Sequence, residues 1–506
     1  MSDWSDGYVT DIDYTHGFYR ELTPGFLAFC ILLKGLRPPP LSSFSYCELG
    51  FGQGFSTNLI AAANPQGDFW ATDFNPSHAA GASQLAMSAG TGNVRFYDKS
   101  FAEFRDLETP EFDLIVLHGI YSWVSPENRA AIVEIIRRKL KPGGAVYIGY
   151  NCLPGWSAAM PLRQLMAEYG ATARESRVQQ VRQGIAFADR LVEMKAGYFA
   201  QNPGVAARLE LLKRQPSAYL VHEYLNRDWT PKYFAEVARE LGGAKLSFAA
   251  SANPADHVDV VNLTSDAQKM LAEIDDVLFR ETVRDYFLNQ KFRKDIFVKG
   301  AVRLSAQEKA ELLLKTRFVL VAPRALVPLE ATFALGDVKL REETYGPVLY
   351  ALAKGPATLG ELLAMDSVRA VGFPSFVQAV TVLAAMRQVE PCLPETGEAD
   401  RVAGTRAFNA AVMNAARYSD QLMFLASPVT GGGINVNRFH QLFLLAMQGN
   451  ADPAEFTWQV LDKQDERLTR DGKALESPGE NIAELRARAE VFRTQWLPLY
   501  RQLGIA

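Results

Sequence analysis

Short apolar runs alternate with segments of helical periodicity between residues 44 and 150. Their lengths and their content of β-branched and aromatic residues predict five strands, at 44–49, 68–72, 94–97, 114–117 and 145–150. The clearest helix between them is predicted at 126–141, with Ser125 as its N-cap and a stop at 142–144. Strands that alternate with helices form a parallel sheet covered on both faces. The pattern therefore predicts an α/β, doubly wound (Rossmann-like) domain.

The chain after residue 156 has a mainly helical pattern. Val181, Ile185 and Ala188 recur at three- and four-residue spacing, which predicts an amphipathic helix that packs on the sheet domain or on a second subunit. Helical segments at 345–353, 359–364 and 375–388, followed by a strand at 389–393, resemble a winged helix. Arg387 is the only cation of the third segment, and this argues against DNA binding.

Composition and charge exclude several classes of protein. With 48% hydrophobic and 22% charged residues, the chain of 506 residues is not largely disordered. The formal net charge of −4 gives no overall attraction to nucleic acid or to an anionic membrane. Apolar stretches such as 26–33 are too short to span a bilayer, and the first residues carry no signal or transit peptide. We expect a cytoplasmic protein with no membrane span and no nucleic-acid partner.

Cysteine and histidine are scattered along the chain. The four cysteines and six histidines lack the spacings of a disulfide framework or of a metal site. We therefore expect reduced, mostly buried thiols and no metal ion.

The most informative motif lies at the end of the first predicted strand and reads ELGFGQG at 48–54. Glycines at alternate positions let the backbone turn tightly and approach a ligand closely. A dinucleotide fingerprint would need glycine at position 55, where the chain has phenylalanine. The pattern resembles the first motif of class I S-adenosylmethionine (AdoMet) methyltransferases. This resemblance implies AdoMet as cofactor, with Glu48, Gly50, Gly52 and Gly54 on the methionine side of its pocket.

Two aspartates follow the next two predicted strands. Asp73 ends the second strand, where an ionised carboxylate can accept hydrogen bonds from both ribose hydroxyls. Asp98 ends the third strand, where it can contact an adenine amino group, with Ser100 and Phe101 beside it. Ligands of open α/β sheets bind beyond the carboxyl ends of the strands, so these groups are expected to converge.

Further segments narrow the resemblance to one family. The stretches 13–21, 117–124, 150–156, 222–226, 245–247 and 292–295 are similar to bacterial protein-lysine methyltransferases of the rickettsial outer-membrane-protein type, which carry a methyltransferase regulatory domain. The resemblance implies a homodimer that methylates lysines of a protein substrate, with an outer-membrane or surface protein as one candidate. It also implies an amino-terminal lid, formed by Tyr14, Tyr19 and Arg20, over the cofactor.

The resemblance and the helical pattern together suggest a division into five regions. We expect an AdoMet-binding methyltransferase domain with its lid at 1–155, a helical dimerisation and regulatory region at 156–255, a middle domain at 256–340, a winged-helix-like domain at 341–400 and a helical carboxy-terminal domain at 401–506.

The candidates for catalysis follow the fourth and fifth predicted strands, and they are His118, Tyr121, Trp123, Tyr150 and Asn151. Aromatic faces can stabilise a sulfonium or an incoming ammonium through cation–π attraction. His118 is either a general base that also borders the cofactor or a strand-end histidine bonded to the backbone. Tyr121 and Asn151 either orient an amine or pack within their loops. For His222 and Glu223 we favour a structural role over a general-base role.

Three functions are compatible with these motifs. The leading hypothesis is an AdoMet-dependent protein-lysine N-methyltransferase, because the long chain after residue 155 favours a macromolecular partner. The second is a methyltransferase for a small molecule or natural product, with the helical region as a lid. The third is a non-catalytic regulatory or adaptor protein that retains an AdoMet pocket.

Overall fold

The computed structural model describes residues 16–172 and 175–506, and its centre is one sheet of seven strands. The strands are β1 (Phe44–Leu49), β2 (Gly67–Thr72), β3 (Val94–Tyr97), β4 (Phe112–His118), β5 (Leu140–Asn151), β6 (Leu246–Ser251) and β7 (Phe292–Lys299). Their order across the sheet is β3-β2-β1-β4-β5-β7-β6. The first five strands are parallel, and β7 is antiparallel to both of its neighbours. The predicted α/β fold is confirmed.

Helices cover both faces of the first five strands. They are α1 (Pro24–Leu33), α2 (Phe55–Ala63), α3 (Pro76–Ser88), α4 (Phe101–Asp106) and α5 (Pro126–Lys139). Alternate residues of β4 point to opposite faces, so that Leu114 and Val116 pack with α1 and α2, whereas Ile115 and Leu117 pack with α4 and α5. Both faces of the sheet are therefore buried, as a continuous apolar strand requires.

The predicted helix at 126–141 is confirmed at its start and corrected at its end. The Ser125 hydroxyl accepts the Asn128 N–H at 3.2 Å and caps α5. The helix ends at Lys139, because Leu140 already pairs with Phe112 and begins β5. Residues 142–144, predicted as the helix stop, belong to this strand.

Strands β6 and β7 complete the sheet from a distant part of the sequence. Tyr150 of β5 pairs with Arg293 of β7, and the Arg293 guanidinium lies 2.8 Å from the Asp295 carboxylate in the sheet interior. Neither strand was predicted as part of this sheet. Residues on both sides of the expected boundary at 155 thus form one layer.

A bundle of helices follows β5 and leads to β6. Its members are α6 (Met160–Thr172), α7 (Arg177–Glu193), α8 (Gly197–Gln201), α9 (Pro203–Leu212), α10 (Ser217–Leu225) and α11 (Phe234–Gly242). The amphipathic helix predicted from Val181, Ile185 and Ala188 is confirmed as α7. These side chains pack on α6, α9 and α10 of the same chain, and the described residues of this cluster include none from the sheet.

Smaller elements continue from β6 to residue 392. They are α12 (Asp259–Asn262), α13 (Ser265–Ala272), α14 (Val277–Leu288), α15 (Ala306–Lys315), β8 (Arg317–Leu320), β9 (Glu330–Phe333), β10 (Gly336–Lys339), α16 (Glu342–Leu352), β11 (Ala357–Thr358), α17 (Leu359–Ala364), α18 (Asp366–Arg369), α19 (Phe373–Ala385) and β12 (Val389–Cys392). Strands β11, β8 and β12 form a small antiparallel sheet. The three helices and the strand predicted for the winged-helix-like segment are present as α16, α17, α19 and β12.

The last part of the chain packs against the helix that follows the glycine motif. It comprises α20 (Glu398–Ala415), β13 (Phe424–Ala426), β14 (Gly433–Asn435), α21 (Arg438–Gln448), α22 (Pro453–Asp462), β15 (Thr469–Arg470), β16 (Lys473–Ala474), α23 (Pro478–Val491) and α24 (Leu497–Gln502). The Asn64 side chain, at the end of α2, donates to the Gly431 carbonyl at 2.7 Å. The Phe18 and Phe424 rings lie 5.4 Å apart. In the described portion of the chain, no helix has the length and apolar character needed to cross a bilayer.

Candidate active site

A cavity of about 680 Å³ lies at the carboxyl ends of the parallel strands. Its walls include the glycine loop at 48–54, the segments that follow β2 to β5, the amino-terminal segment near Tyr19, helices α9 and α10 with the residues after α10, and the start of β7. This is the position at which open α/β sheets bind ligands. Its volume is in the range of pockets that enclose small molecules and cofactors.

The glycine loop is shaped so that one position opens to the cavity. Gly50, Gly52 and Gly54 all have positive φ, at 77°, 56° and 67°. A Cβ at Gly50 would overlap Ile120, and one at Gly54 would overlap Ala82, so both are needed for close packing. A Cβ at Gly52 would meet no atom within 4 Å. The space beside Gly52 is therefore free for a ligand to approach the backbone.

Asp73 lines the cavity and ties the glycine loop to the end of β2. Its Oδ2 accepts the Gly52 N–H at 2.9 Å, and its Oδ1 accepts the Asn75 N–H at 3.0 Å. The His78 ring nitrogen Nδ1 lies 3.2 Å from the same Oδ1. A carboxylate offers about four acceptor positions, so most of them are already used within the protein.

Glu48 is a buried carboxyl group in the wall of the cavity, only 4% exposed. Burial raises its pKa to about 7; the hydrogen bond donated by Thr57 opposes this shift, and the negative charge of Asp73 adds to it. A cation bound beside Glu48 would favour the ionised carboxylate and lower this pKa again. The group is therefore suited to a positively charged part of a ligand.

The segment expected to hold the adenine is divided between cavity and solvent. Ser100 and Phe101 line the cavity, but Asp98 is exposed and is not among its lining residues. The chain turns into α4 at Ser100, whose hydroxyl accepts the Glu103 N–H at 3.3 Å, and Asp98 stays on the solvent side of this turn. The structure thus does not bring Asp98 to the site.

Of the three predicted lid residues, the structure describes Tyr19 and Arg20, and of these two Tyr19 reaches the cavity. Tyr19 lines the cavity and stacks on His118, with ring centroids 4.0 Å apart. Arg20 points away from the cavity, because its guanidinium pairs with Glu390 and donates to the Ala384 carbonyl, each at 2.8 Å. Tyr14 lies outside the described residues.

His118, Trp123 and Asn151 all reach the cavity. The His118 Nδ1 lies 2.7 Å from the Tyr147 hydroxyl. Burial lowers the pKa of His118 to about 4, and the nearby Glu21 carboxylate only partly offsets this effect. The imidazole is therefore neutral near pH 7 and is a weak proton acceptor.

Tyr121 and Tyr150 do not reach the cavity, which corrects the expectation for both. The Tyr121 hydroxyl donates to Glu240 at 2.5 Å, and the Tyr150 hydroxyl donates to Asp295 at 2.8 Å. Both side chains are fully buried in the core beneath α5 and α11. For Tyr150 the reason is strand alternation, since it points to the opposite face from its cavity-lining neighbour Asn151.

A helical wall completes the cavity, and it contains His222 and Glu223, for which the sequence favoured a structural role. Tyr219, His222 and Glu223 of α10 line the cavity together with Arg208 of α9, whose guanidinium lies 4.1 Å from the Trp156 ring centroid. Burial raises the pKa of Glu223 to about 7 in spite of the positive charges of Arg208 and Arg163. The three- and four-residue spacing on α10 was a visible signal, but only the packing of α10 reveals which surface it faces.

Comparisons with known proteins agree with this geometry. A family model described as a methyltransferase domain matches residues 47–144, and one described as a predicted methyltransferase regulatory domain matches residues 216–299. The first matched region contains the glycine loop, and the second contains the helical wall of α10 together with β6 and β7.

Relatives extend the likeness over the whole chain. An uncharacterized protein of Synechocystis sp. is 48% identical over 504 residues, which are 99% of this chain and 100% of that protein. An uncharacterized protein of Rickettsia prowazekii is 25% identical over 297 residues, 58% of this chain and 53% of the relative. Among solved structures, PKMT2 from Rickettsia typhi in complex with AdoHcy superposes with a TM-score of 0.71 over 97% of this chain and 99% of that one, at 18% identity. The fold is therefore shared over nearly the full length.

Proposed function

The chain belongs to the family of AdoMet-dependent methyltransferases in which a methyltransferase domain precedes a methyltransferase regulatory domain, and we propose that it methylates lysine side chains of a protein substrate. When bound, AdoMet supplies a methyl group on a positively charged sulfur. The residues of the cavity fit this ligand, because Gly52 leaves open backbone beside the buried Glu48 carboxylate. AdoMet-dependent methyl transfer is the activity of the family, and lysine as the methyl acceptor is our proposal.

The proposed cofactor contacts combine the family resemblance with the residues that line the cavity. Glu48 would pair with the amino group of the methionine part, and Gly50, Gly52 and Gly54 would lie beneath that part. Asp73 would use its remaining acceptor position for the ribose, while Ser100 and Phe101 would border the adenine. Tyr19 and His118, which stack on each other, would cover the ligand from the amino-terminal side.

The observation that carries the proposal is the convergence of aromatic side chains on one cavity. Trp123 follows β4, Trp156 follows β5, Tyr219 belongs to α10 and Phe292 begins β7, and all four line the same space. Aromatic faces attract cations, and they also pack against the aliphatic part of a lysine side chain. A lysine acceptor uses both properties, whereas an uncharged acceptor would use only the apolar one.

A lysine acceptor also needs to lose a proton before it can accept a methyl group. With an ordinary pKa of about 10.4, this costs about 4 kcal/mol near pH 7.4. The neutral His118, with a pKa of about 4, is poorly matched to this task. Burial of the ammonium in an aromatic cavity lowers its pKa and supplies part of the cost.

Methyl transfer from labelled AdoMet tests the proposed acceptor. The enzyme is incubated with AdoMet carrying a labelled methyl group and with a mixture of bacterial proteins, and mass spectrometry then locates the label. We expect labelled lysine side chains, and no labelling in a matched mixture whose lysines have been acetylated. Label found only on small amines added in parallel would instead support the small-molecule function. Binding of AdoMet without any transfer would support the adaptor function.

The assembly, location and domain division of this enzyme form part of the same proposal. The family resemblance supports a cytoplasmic homodimer joined through residues 156–255, with the regions 256–340, 341–400 and 401–506 engaged in substrate recognition. It also supports an outer-membrane or surface protein as substrate. Sedimentation equilibrium tests the dimer, since a mass near one chain, 56.0 kDa, at micromolar concentration would contradict it.

A further inference from the structure

Glu223 is held in the cavity wall with its carboxylate uncommitted. Its backbone carbonyl accepts from Arg163 Nε at 3.1 Å, and Arg163 also donates to the Asn226 carbonyl at 2.6 Å, so α6 fixes the end of α10. Within the described stretches 16–172 and 175–506, the Glu223 carboxylate makes no hydrogen bond and no ion pair. A rigid backbone thus presents a free acid group to the cavity.

Asn151 presents a second uncommitted polar group from the opposite, sheet side. The residue is only 5% exposed and lines the cavity, and its backbone N–H donates to the Ser122 hydroxyl at 2.9 Å. Its side-chain amide makes no hydrogen bond to any described residue. In the cavity wall such an amide can be satisfied by water or by a ligand, since a polar group left without a hydrogen bond costs free energy. A ligand in the cavity is the natural partner for both groups.

Glu223 can gain a proton near neutral pH because of its position in the cavity wall. Burial raises its pKa to about 7, about three units above that of His118. The charged and titratable groups that interact electrostatically with Glu223 are, among the described residues, Arg163, Arg208, Tyr219 and Tyr224. His222, Asp228 and Lys291 also line the cavity. The positive charges of Arg163 and Arg208 lower the pKa of Glu223 and so oppose the effect of burial. The carboxylate can therefore still ionise when a cation enters the cavity.

We propose that Glu223 takes a proton from the acceptor ammonium and that the Asn151 amide oxygen positions the resulting amine; this rests on the proposed function. The nitrogen lone pair released by this transfer forms the N–C bond while the C–S bond breaks. The electron pair of the broken bond stays on sulfur, so the positive charge passes from sulfur to the methylated nitrogen. The proton on Glu223 then leaves to water.

The Glu223→Gln variant tests the proton transfer, with Glu210→Gln as a matched control. Glu210 lies on the exposed side of α9, 2.6 Å from Lys213. We expect Glu223→Gln to lower kcat for a lysine-containing peptide about 100-fold or more at pH 7, as loss of a general base does. The deficit should shrink toward pH 10, where free lysine deprotonates, and the Kd for AdoMet should stay within about twofold. An equal deficit at every pH, or none, would overturn the proposal.

A binding experiment distinguishes failure of this proposal from failure of the proposed function. Calorimetry with n-butylammonium in the presence of AdoHcy measures the amine site without turnover. We expect binding to the wild-type chain and at least about tenfold weaker binding to Glu223→Gln and to Asn151→Ala, as loss of a hydrogen bond to a charged group does. No amine binding by the wild type would overturn the role of Glu223. Amine binding without methylation of any lysine would overturn the protein-lysine function and leave Glu223 as the receptor of another amine.

Discussion

The guanidinium of Arg20 lies 2.8 Å from the carboxylate of Glu390, a residue 370 positions later in the chain. The next residue, Glu21, reaches Lys294 of β7 at 2.6 Å. The segment that carries Tyr19 into the cavity is therefore held by β12 on one side and by the central sheet on the other. Contacts outside the methyltransferase domain thus help to shape its ligand site.

Replacing only one residue of the Arg20–Glu390 ion pair is expected to lower the free energy of unfolding strongly. Both side chains are largely buried, at 9% and 14% exposure. Removing one partner of such a pair leaves a charge without compensation and typically costs about 3–5 kcal/mol. We expect this loss of stability in Arg20→Met, partial recovery in Arg20→Met/Glu390→Leu, and weaker AdoMet binding in the single variant.

Chemical denaturation and calorimetry measure these two effects. Arg37→Met serves as the control, because its ion pair with Glu308 is exposed, at 55% and 48%. Such surface pairs contribute at most about 1 kcal/mol. A single Arg20→Met variant as stable as the Arg37→Met control would contradict the interpretation.

Cofactor binding should depend on pH through Glu48. Its pKa is raised to about 7, so below pH 7 the free protein carries a protonated Glu48. A cationic amino group binds the ionised form, so binding releases this proton and the observed affinity falls as the pH decreases from about 7 to about 5.5, by up to about tenfold per pH unit. Calorimetry in two buffers of different ionisation enthalpy measures the released proton. In Glu48→Gln we expect weaker binding with little pH dependence; an unchanged pH profile would refute the assignment.

Asp73 and Asp98 should differ sharply in their effect on AdoMet binding. Asp73→Ala removes the acceptor that holds the Gly52 and Asn75 N–H groups, and we expect a loss of about 1–3 kcal/mol in binding. Asp98→Ala changes an exposed residue outside the cavity, so its Kd should stay within about twofold of the wild type. Equal effects of the two changes, measured by titration with AdoMet, would show that the third strand contributes to the pocket after all.

Gly52→Ala should affect binding more than stability. Gly52 and Gly90 share positive φ values, of 56° and 64°, and a Cβ added at either residue would lie more than 4 Å from any neighbouring atom, so alanine carries a similar backbone strain at both sites. Of these two glycines, Gly52 borders the cavity and Gly90 does not. We expect comparable small losses in Tm for both variants, but weaker AdoMet binding for Gly52→Ala alone. Normal binding by Gly52→Ala would contradict close approach of the ligand at this position.

Local sequence was sufficient to predict the elements whose signals are short-range. The five parallel strands and the start of α5 follow from apolar runs and a capping serine. Strand β7 was missed because Arg293 and Asp295 interrupt its apolar pattern. The pairing of Arg293 with Asp295 and with Asp285 of α14 is visible only in three dimensions. Charged residues in a buried strand are predictable only when their partners are known.

The residues of the site likewise divide into those that a local sequence pattern predicts and those that only the tertiary packing reveals. The glycine loop and Asp73 are adjacent to strand ends, and the structure brings them to one cavity. Glu223 and Arg208 reach that cavity through the packing of α9 and α10 on α6 and α7, which no local pattern encodes. Tyr150 is the opposite case, because a local pattern was available and was not applied. Alternate residues of a strand point to opposite faces, so Tyr150 and its neighbour Asn151 could not both be expected to face the cavity.

The hairpin of β13 and β14 supports α2, the helix that begins at the glycine loop, through the hydrogen bond of Asn64 with Gly431, and it packs Phe424 against Phe18 of the amino-terminal segment. A ribosome makes all the parallel strands hundreds of residues before it makes this support. A nascent chain therefore exposes the uncovered side of α2 until residues 424–435 have been made, and the emerging polypeptide acquires its finished pocket only after that point.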